Sequence, residues 1–182
     1  LQQLAQQQQQ QQGVLSPFPP TSPTPTTISP IFPPISVAFN PYLPNEEQRQ
    51  EERDRLVAKL DTGLVSRVYL QFGTDAALLE EGLRFLQGHK EGQGGPVDVV
   101  GSVFLPSKQL LARFRFRPWA GMILSEDFLR DVTTAEAVVA ELLHIYKRFN
   151  VTLILETALK TPKDVDQLRA LMPEEFPGEV GT

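Results

Sequence analysis

The chain has 182 residues, a net charge of −5 and no cysteine. That length suits one domain of ordinary size. The missing cysteines exclude disulfides, Cys-ligated zinc and iron–sulfur centres, and they fit a reducing compartment, with the cytoplasm as the expected location.

No charged side chain occurs in the first 44 residues, so the acidic balance belongs to the remainder. Without a clustered Lys/Arg stripe, that balance argues against a nucleic-acid partner. No apolar run approaches the roughly 18 residues of a membrane span. The N-terminus has neither the basic start nor the continuous apolar core of a signal peptide. It also lacks an initiating Met, so the sequence reads as a fragment or as a gene product missing its upstream part.

Residues 1–34 are low-complexity: a glutamine run, Gln6 to Gln12, then a Pro/Thr/Ser tract from Ser16 to Pro34. Proline removes backbone donors and fixes φ, and little here is apolar, so the segment is expected to be disordered. No basic residue flanks its P-x-x-P stretches, which favours a linker over an SH3-type ligand.

From Ile35 onward, short β-branched runs alternate with amphipathic runs, the pattern of βα units in a parallel sheet. Ile35 to Asn40 predicts a strand closed by Pro41. Asn45 caps a helix running to about Thr62, with Gly63 at its C′ position. Arg67 to Phe72 is the next strand. Thr74 or Asp75 caps a helix to about Gln87 that buries Leu78, Leu79, Leu83 and Leu86.

The stretch His89 to Gly95 reads as a flexible loop, followed by a strand from Val97 to Leu105 and a short helix capped by Ser107. Met122 to Leu124 suggests a further extended piece. Thr133 and Glu136 form a capping box for a helix through Phe149. Val151 to Leu155 is the fourth strand. Thr161, Pro162 and Asp164 start a last helix, and 173–182 reads as a flexible tail.

Working side chains of βα folds sit where strands run into the following loops. Gln71 is a polar amide at such an exit, followed by Phe72. Glu156 and Thr157 end the fourth strand in the same way. Trp119 reads as a packing anchor beside a cation rather than as a ligand platform. Arg113, Arg115 and Arg117 alternate with Phe114 and Phe116, a period of two that places three cations on one face as a solvated rim. His89 and His144 lack partners at ligand spacing, so no metal is assigned. No Walker, G-x-G-x-x-G or G-x-S-x-G motif occurs.

The order and spacing of these elements resemble the methylenetetrahydrofolate reductase family, flavin-dependent TIM barrels. The matching pieces are Val37 to Pro41, Lys59-Leu60-Asp61-Thr62-Gly63, and Gln71-Phe72 with Asp75 shortly after. Later echoes are Leu105-Pro106-Ser107, Pro118-Trp119 and Glu156-Thr157.

The resemblance covers roughly residues 35 to 160 and matches the second half of that barrel. It implies an α/β fold of about four βα units over residues 35–172, a partial (β/α)8 TIM barrel. Four strands cannot close, so the complementary N-terminal half-barrel is an implied partner, and homo-oligomerisation an alternative. Two sheet edges and an apolar inner face are then expected to be exposed.

By the same resemblance, Gln71 hydrogen-bonds a folate pterin and Phe72 lies near the ligands. Ala38, Asn40, Glu52, Arg55 and Lys59 lie at the FAD, with Lys59 and Arg55 toward its phosphates. The implied reaction passes a hydride from NAD(P)H through FAD to methylenetetrahydrofolate. Asn40 stands where the family commonly has Tyr, and Leu43-Pro44 where it has His, which marks a divergent subgroup. The family's catalytic acid lies outside the matched stretch, so no catalytic residue is assigned. Two other readings remain: a barrel-derived interaction or scaffold protein without flavin, and a flavin barrel acting on another one-carbon substrate.

Overall fold

A computed structural model describes residues 35–90, 97–156 and 161–171. The low-complexity segment, most of the expected loop before Pro96, Thr157 and the tail lie outside the described residues. Among those described, four strands and six helices alternate: β1 (Ile35–Phe39), α1 (Glu46–Leu60), β2 (Val65–Leu70), α2 (Ala76–Lys90), β3 (Asp98–Val103), α3 (Lys108–Phe116), α4 (Glu126–Arg130), α5 (Val132–Arg148), β4 (Thr152–Leu155) and α6 (Pro162–Leu171). The strands form one parallel sheet in the order β1-β2-β3-β4. No helix among the described residues is long and apolar enough to cross a membrane.

One face of this sheet is buried under helices. It carries Phe39, Val68, Leu70, Val99 and Val103, none more than 7% exposed. Gly101 belongs to the same face and lies under the Tyr146 ring of α5, while Gly82 of α2 packs against Pro41 and Phe39. Leu142 of α5 is fully buried. Leu142→Ala is expected to cost about 2–5 kcal/mol through transfer and cavity terms, read as a lower urea midpoint at constant slope.

The other face alternates with it and is open at β1, β2 and β4. Ser36, Ala38, Arg67, Tyr69, Thr152 and Ile154 are exposed there, and cross-strand pairing sets Ala38 beside Tyr69 and Val100 beside Thr152. Parallel sheets are ordinarily covered on both faces. The open face is not the apolar surface expected: Arg67 pairs with Asp98 across it at 3.2 Å. Asp98 opens β3 and Arg67 is the third residue of β2, and the alternation leaves both in solvent.

The helix caps are satisfied mostly where expected. Asn45 accepts from Gln48 N at 2.8 Å and Asp75 from Leu78 N at 3.0 Å. Other details differ. Helix α2 continues past Gln87 to Lys90, so His89 is helical and sits 3.4 Å from Asp61 Oδ1.

The cap of α5 is Asp131, not Thr133: its carboxylate accepts from Thr134 N at 2.9 Å. An aspartate two positions upstream reaches the third helical N–H first, which leaves Thr133 inside the helix and Glu136 bonded to Gln167. The Thr134 backbone N–H holds the Asp131 carboxyl below its usual range, helped by the Thr134 hydroxyl. That contribution is present above the ordinary aspartate range and is lost as pH falls through the lowered pKa. Asp131→Asn is therefore expected to flatten the acid limb of a stability-versus-pH curve.

The Arg/Phe alternation is overturned. Residues 108–116 are helical, so a period of two spreads the arginines around a cylinder. Arg113 lies over the Trp119 ring at 5.3 Å, and Arg115 Nε donates to Leu129 O at 2.6 Å. The five-residue helix α4 was not legible beforehand. Ser125 caps it by accepting from Phe128 N at 3.2 Å, and Phe128 is buried.

Candidate functional site

Asn40, Gln71 and Glu156 lie just beyond the C-terminal ends of β1, β2 and β4, on one rim of the sheet. A strap, residues 117–124, crosses part of this rim between α3 and α4. Ile123 forms an isolated parallel bridge with Gly73 and accepts from Thr74 N at 3.1 Å. The Met122 to Leu124 piece is thus extended, with Ile123 in that bridge. Thr74 Oγ1, buried, accepts from Ser125 N at 2.6 Å and ties the strap's end to the sheet.

Gln71 sits at the centre. Its backbone N–H donates to Phe39 O at 2.8 Å, continuing the ladder one step past β2. Its side-chain Oε1 accepts from Phe72 N at 3.0 Å. That bond fixes the amide's orientation and leaves Nε2 beside Gly121 of the strap. Nε2 has no hydrogen-bond partner among the described residues, and the residue is half-buried. The amide therefore presents a donor, with its acceptor committed to the backbone.

Gly121 faces this amide. Its φ is +82°, and a Cβ there would lie 2.8 Å from Gln71 Nε2. Gly121→Ala is expected to destabilise the fold by about 1–2 kcal/mol through its left-handed backbone, with the Gln71 rotamer displaced as well. Chemical denaturation and the side-chain amide resonances would report the two effects separately.

Asn40 is fully engaged by the chain itself. Its Nδ2 donates to Gly121 O at 3.2 Å, its Oδ1 accepts from Tyr42 N at 3.0 Å, and its own N–H donates to Glu52 Oε1 at 3.2 Å. It works as a clasp between the strap, the β1–α1 loop and α1. Glu52 also holds Arg55 at 3.0 Å. Lys59 is exposed in the last turn of α1, about 10 Å beyond Glu52 along the helix axis. Ala38 lies on the open face, two residues below Asn40.

Phe72 points away from the rim. It is 3% exposed and packs edge-on against Phe104 at 4.7 Å and Phe128 at 6.0 Å. Phe104 and Phe114 continue the cluster to Trp119, at 5.5 and 5.6 Å. Trp119 is an anchor with a cationic neighbour, as its sequence context suggested. Its outer side also lines a cleft of about 720 Å³ at the ends of β3 and β4, with Leu105, Pro106, Arg113 and Glu156. Glu156 N–H donates to Val103 O at 2.8 Å, which brings its carboxylate to the cleft's edge.

Behind the rim lie two buried phenols. Gly73 sits against the Tyr42 ring and Gly101 against the Tyr146 ring. Burial pushes Tyr146 up to about 12 and Tyr42 well above its ordinary value. The phenols are neighbours, but Tyr42 Oη is buried without a partner in hydrogen-bond geometry. Both stay protonated at any working pH and act as packing groups.

The folded state holds the Tyr146 proton more tightly than the unfolded chain does. Its contribution is present below pH 10 and is lost as pH rises toward 12. About 2–3 kcal/mol is expected to disappear over that window, and Tyr146→Phe is expected to shrink the loss in urea titrations at pH 9 and 12.

No protein-family model matches the chain, and no curated protein does. A solved structure, described as an uncharacterized protein from Clostridium thermocellum that binds two copies of 5-methyl-5,6,7,8-tetrahydrofolic acid, is similar in fold. The TM-score is 0.50 at 11% identity, over 75% of this chain and 51% of that one. The chain thus spans about half the length of that structure, and the likeness extends to the fold alone.

Proposed function

We propose that this chain is half of a (β/α)8 barrel that binds a reduced folate at the C-terminal rim of its sheet, as part of a methylenetetrahydrofolate reductase-like flavoprotein. The observation that carries the reading is the Gln71 amide, oriented by Phe72 N and offering Nε2 to an acceptor on the ligand. A pterin edge carries such acceptors, and a site built to hydrogen-bond them rejects rings that lack them. The folate bound by the structural neighbour supports the same ligand class.

The flavin part rests on α1. Arg55 and Lys59 are exposed and four residues apart, so they share one helix face. Two cations on one stripe suit a pyrophosphate. FAD, when bound, carries the hydride that NAD(P)H supplies to the one-carbon unit. The chain's own residues bind and orient: Gln71 the folate, Arg55 and Lys59 the dinucleotide phosphates, Asn40 and Gly121 the strap beside them.

Two measurements test this. Titration of 5-methyltetrahydrofolate into the protein by calorimetry should show saturable binding. After FAD addition and desalting, a retained visible spectrum bleached by anaerobic NAD(P)H supports the reductase. Folate binding without retained flavin leaves a folate-binding protein and removes the oxidoreductase. Neither ligand binding supports the scaffold reading, which the full engagement of Asn40 by Gly121, Tyr42 and Glu52 of the chain itself favours.

A further inference from the structure

We infer that the cleft at the ends of β3 and β4 is a binding site for an amphoteric aromatic molecule, a ring that carries both an acid group and an N–H donor. The site uses none of the contacts of Gln71, so it stands whether or not the folate reading does.

The walls of the cleft come from this chain's own elements. Phe104 and Leu105, just past β3, give it an apolar base. Arg113 of α3 and Trp119 of the strap line it from the β3 side, and Glu156 from the end of β4. Its volume, about 720 Å³, falls within the range of small-molecule sites, about 300–1,000 Å³.

Trp119 is set before any ligand arrives. Its ring packs on Phe104 and Phe114 at 5.5 and 5.6 Å, yet it stays 40% exposed. A fixed aromatic wall costs a ligand little ordering.

The polar groups divide into committed and uncommitted. On α6, the Asp164 carboxylate accepts from Thr161 N at 2.7 Å, and the Gln167 amide donates to Glu136. Arg113 and Glu156 are exposed, and neither side chain has a hydrogen bond or ion pair among the described residues. The Arg113 guanidinium lies over the Trp119 ring at 5.3 Å. Stacking takes the face of a guanidinium and leaves its N–H edge for a carboxylate. Glu156 is an acceptor only and calls for a donor.

These charges select the ligand. Glu156 and Asp164 outnumber Arg113, which disfavours a simple anion. A simple cation would leave Arg113 without an acid. A ring bearing both groups gives its acid to Arg113 and its N–H to Glu156, with Trp119 and Leu105 against the ring.

Para-aminohippurate is the probe, with an aniline N–H at one end and a carboxylate at the other. Trp119 is the single tryptophan of the chain, so one indole N–H resonance reports on the cleft. Titration should shift that signal to saturation. Hippurate, which lacks the amine, and para-aminobenzamide, which lacks the acid, should each bind about tenfold more weakly.

Arg113→Gln should weaken para-aminohippurate about tenfold and leave para-aminobenzamide unchanged. Glu156→Gln should weaken para-aminohippurate about as much and leave hippurate no weaker. Both side chains are exposed, so an unchanged backbone amide spectrum should accompany each variant. Gln71→Ala should leave para-aminohippurate binding intact.

Competition identifies the natural source. Displacement by 5-methyltetrahydrofolate would make the cleft the seat of its aminobenzoyl-glutamate end. Binding of para-aminohippurate without displacement would assign the cleft to a separate molecule of the same class. An unmoved indole signal at millimolar probe overturns the site, as it would if another part of the polypeptide filled the cleft. Equal binding of all three probes, or binding that both charge variants leave unaltered, overturns it too, since stacking on Trp119 alone would give that result.

Discussion

Gly101→Ala is expected to be among the most damaging single-methyl changes in this chain. The new Cβ would lie 2.6 Å from Cζ and 2.7 Å from Cε1 of Tyr146, well inside contact distance. Neither partner has room. Gly101 is in the third strand, paired on both sides, and Tyr146 is fully buried. Overpacking of this kind costs about 1–3 kcal/mol, and the expected value is at the upper end.

Tyr146→Phe should not relieve it, since the clashing ring carbons remain. Tyr146→Ala should, at the cost of a cavity, so a double-mutant cycle should show a coupling of about 1 kcal/mol or more. Gly88→Ala is the contrasting control. It is helical with nothing within 4 Å of its added Cβ, and should raise stability by about 0.4–1 kcal/mol. If Gly101→Ala unfolds at the wild-type urea concentration, the packing of α5 on β3 is not as described.

The second large effect is on ligand binding. Gln71→Ala is expected to weaken 5-methyltetrahydrofolate binding about 10- to 100-fold, the cost of leaving a ligand acceptor unpaired. Because Oε1 also serves Phe72 N, alanine removes a backbone contact as well. Gln71→Glu separates the two: it keeps the acceptor for Phe72 and replaces the donor, so its binding loss should be at least as large with a smaller change in stability. Wild-type affinity in both variants would remove Gln71 from the site. Equal loss of folate use and of flavin reduction by NAD(P)H would argue against a specific folate contact.

Much of the architecture could be read along the chain because local chemistry dictates it. Asn45, Asp75 and Ser107 are caps whose side chains bond an N–H three residues on, and β2 shows the two-residue alternation of a strand with one face covered. The errors fell where a local signal had a competitor. Thr133 lost its cap role to Asp131, and the period-two spacing of Arg113, Arg115 and Arg117 suggested one shared face, whereas the helix that buries Leu111 and Phe114 spreads them. Helix α4 has only five residues, too few for a periodic signal.

Sequence by itself determined the four βα units, the rim positions of Gln71 and Glu156, and the anchoring role of Trp119. Each follows from neighbours within a few residues or from the order of the strands. Only the tertiary structure decided how these residues are used. It spent both ends of the Asn40 amide on the strap and the β1–α1 loop, turned Phe72 into an aromatic cluster, and laid Gly121 against Gln71 from 50 residues away. A hydrogen bond or ring contact between distant segments leaves no periodic trace in either one, so such assignments wait on the fold.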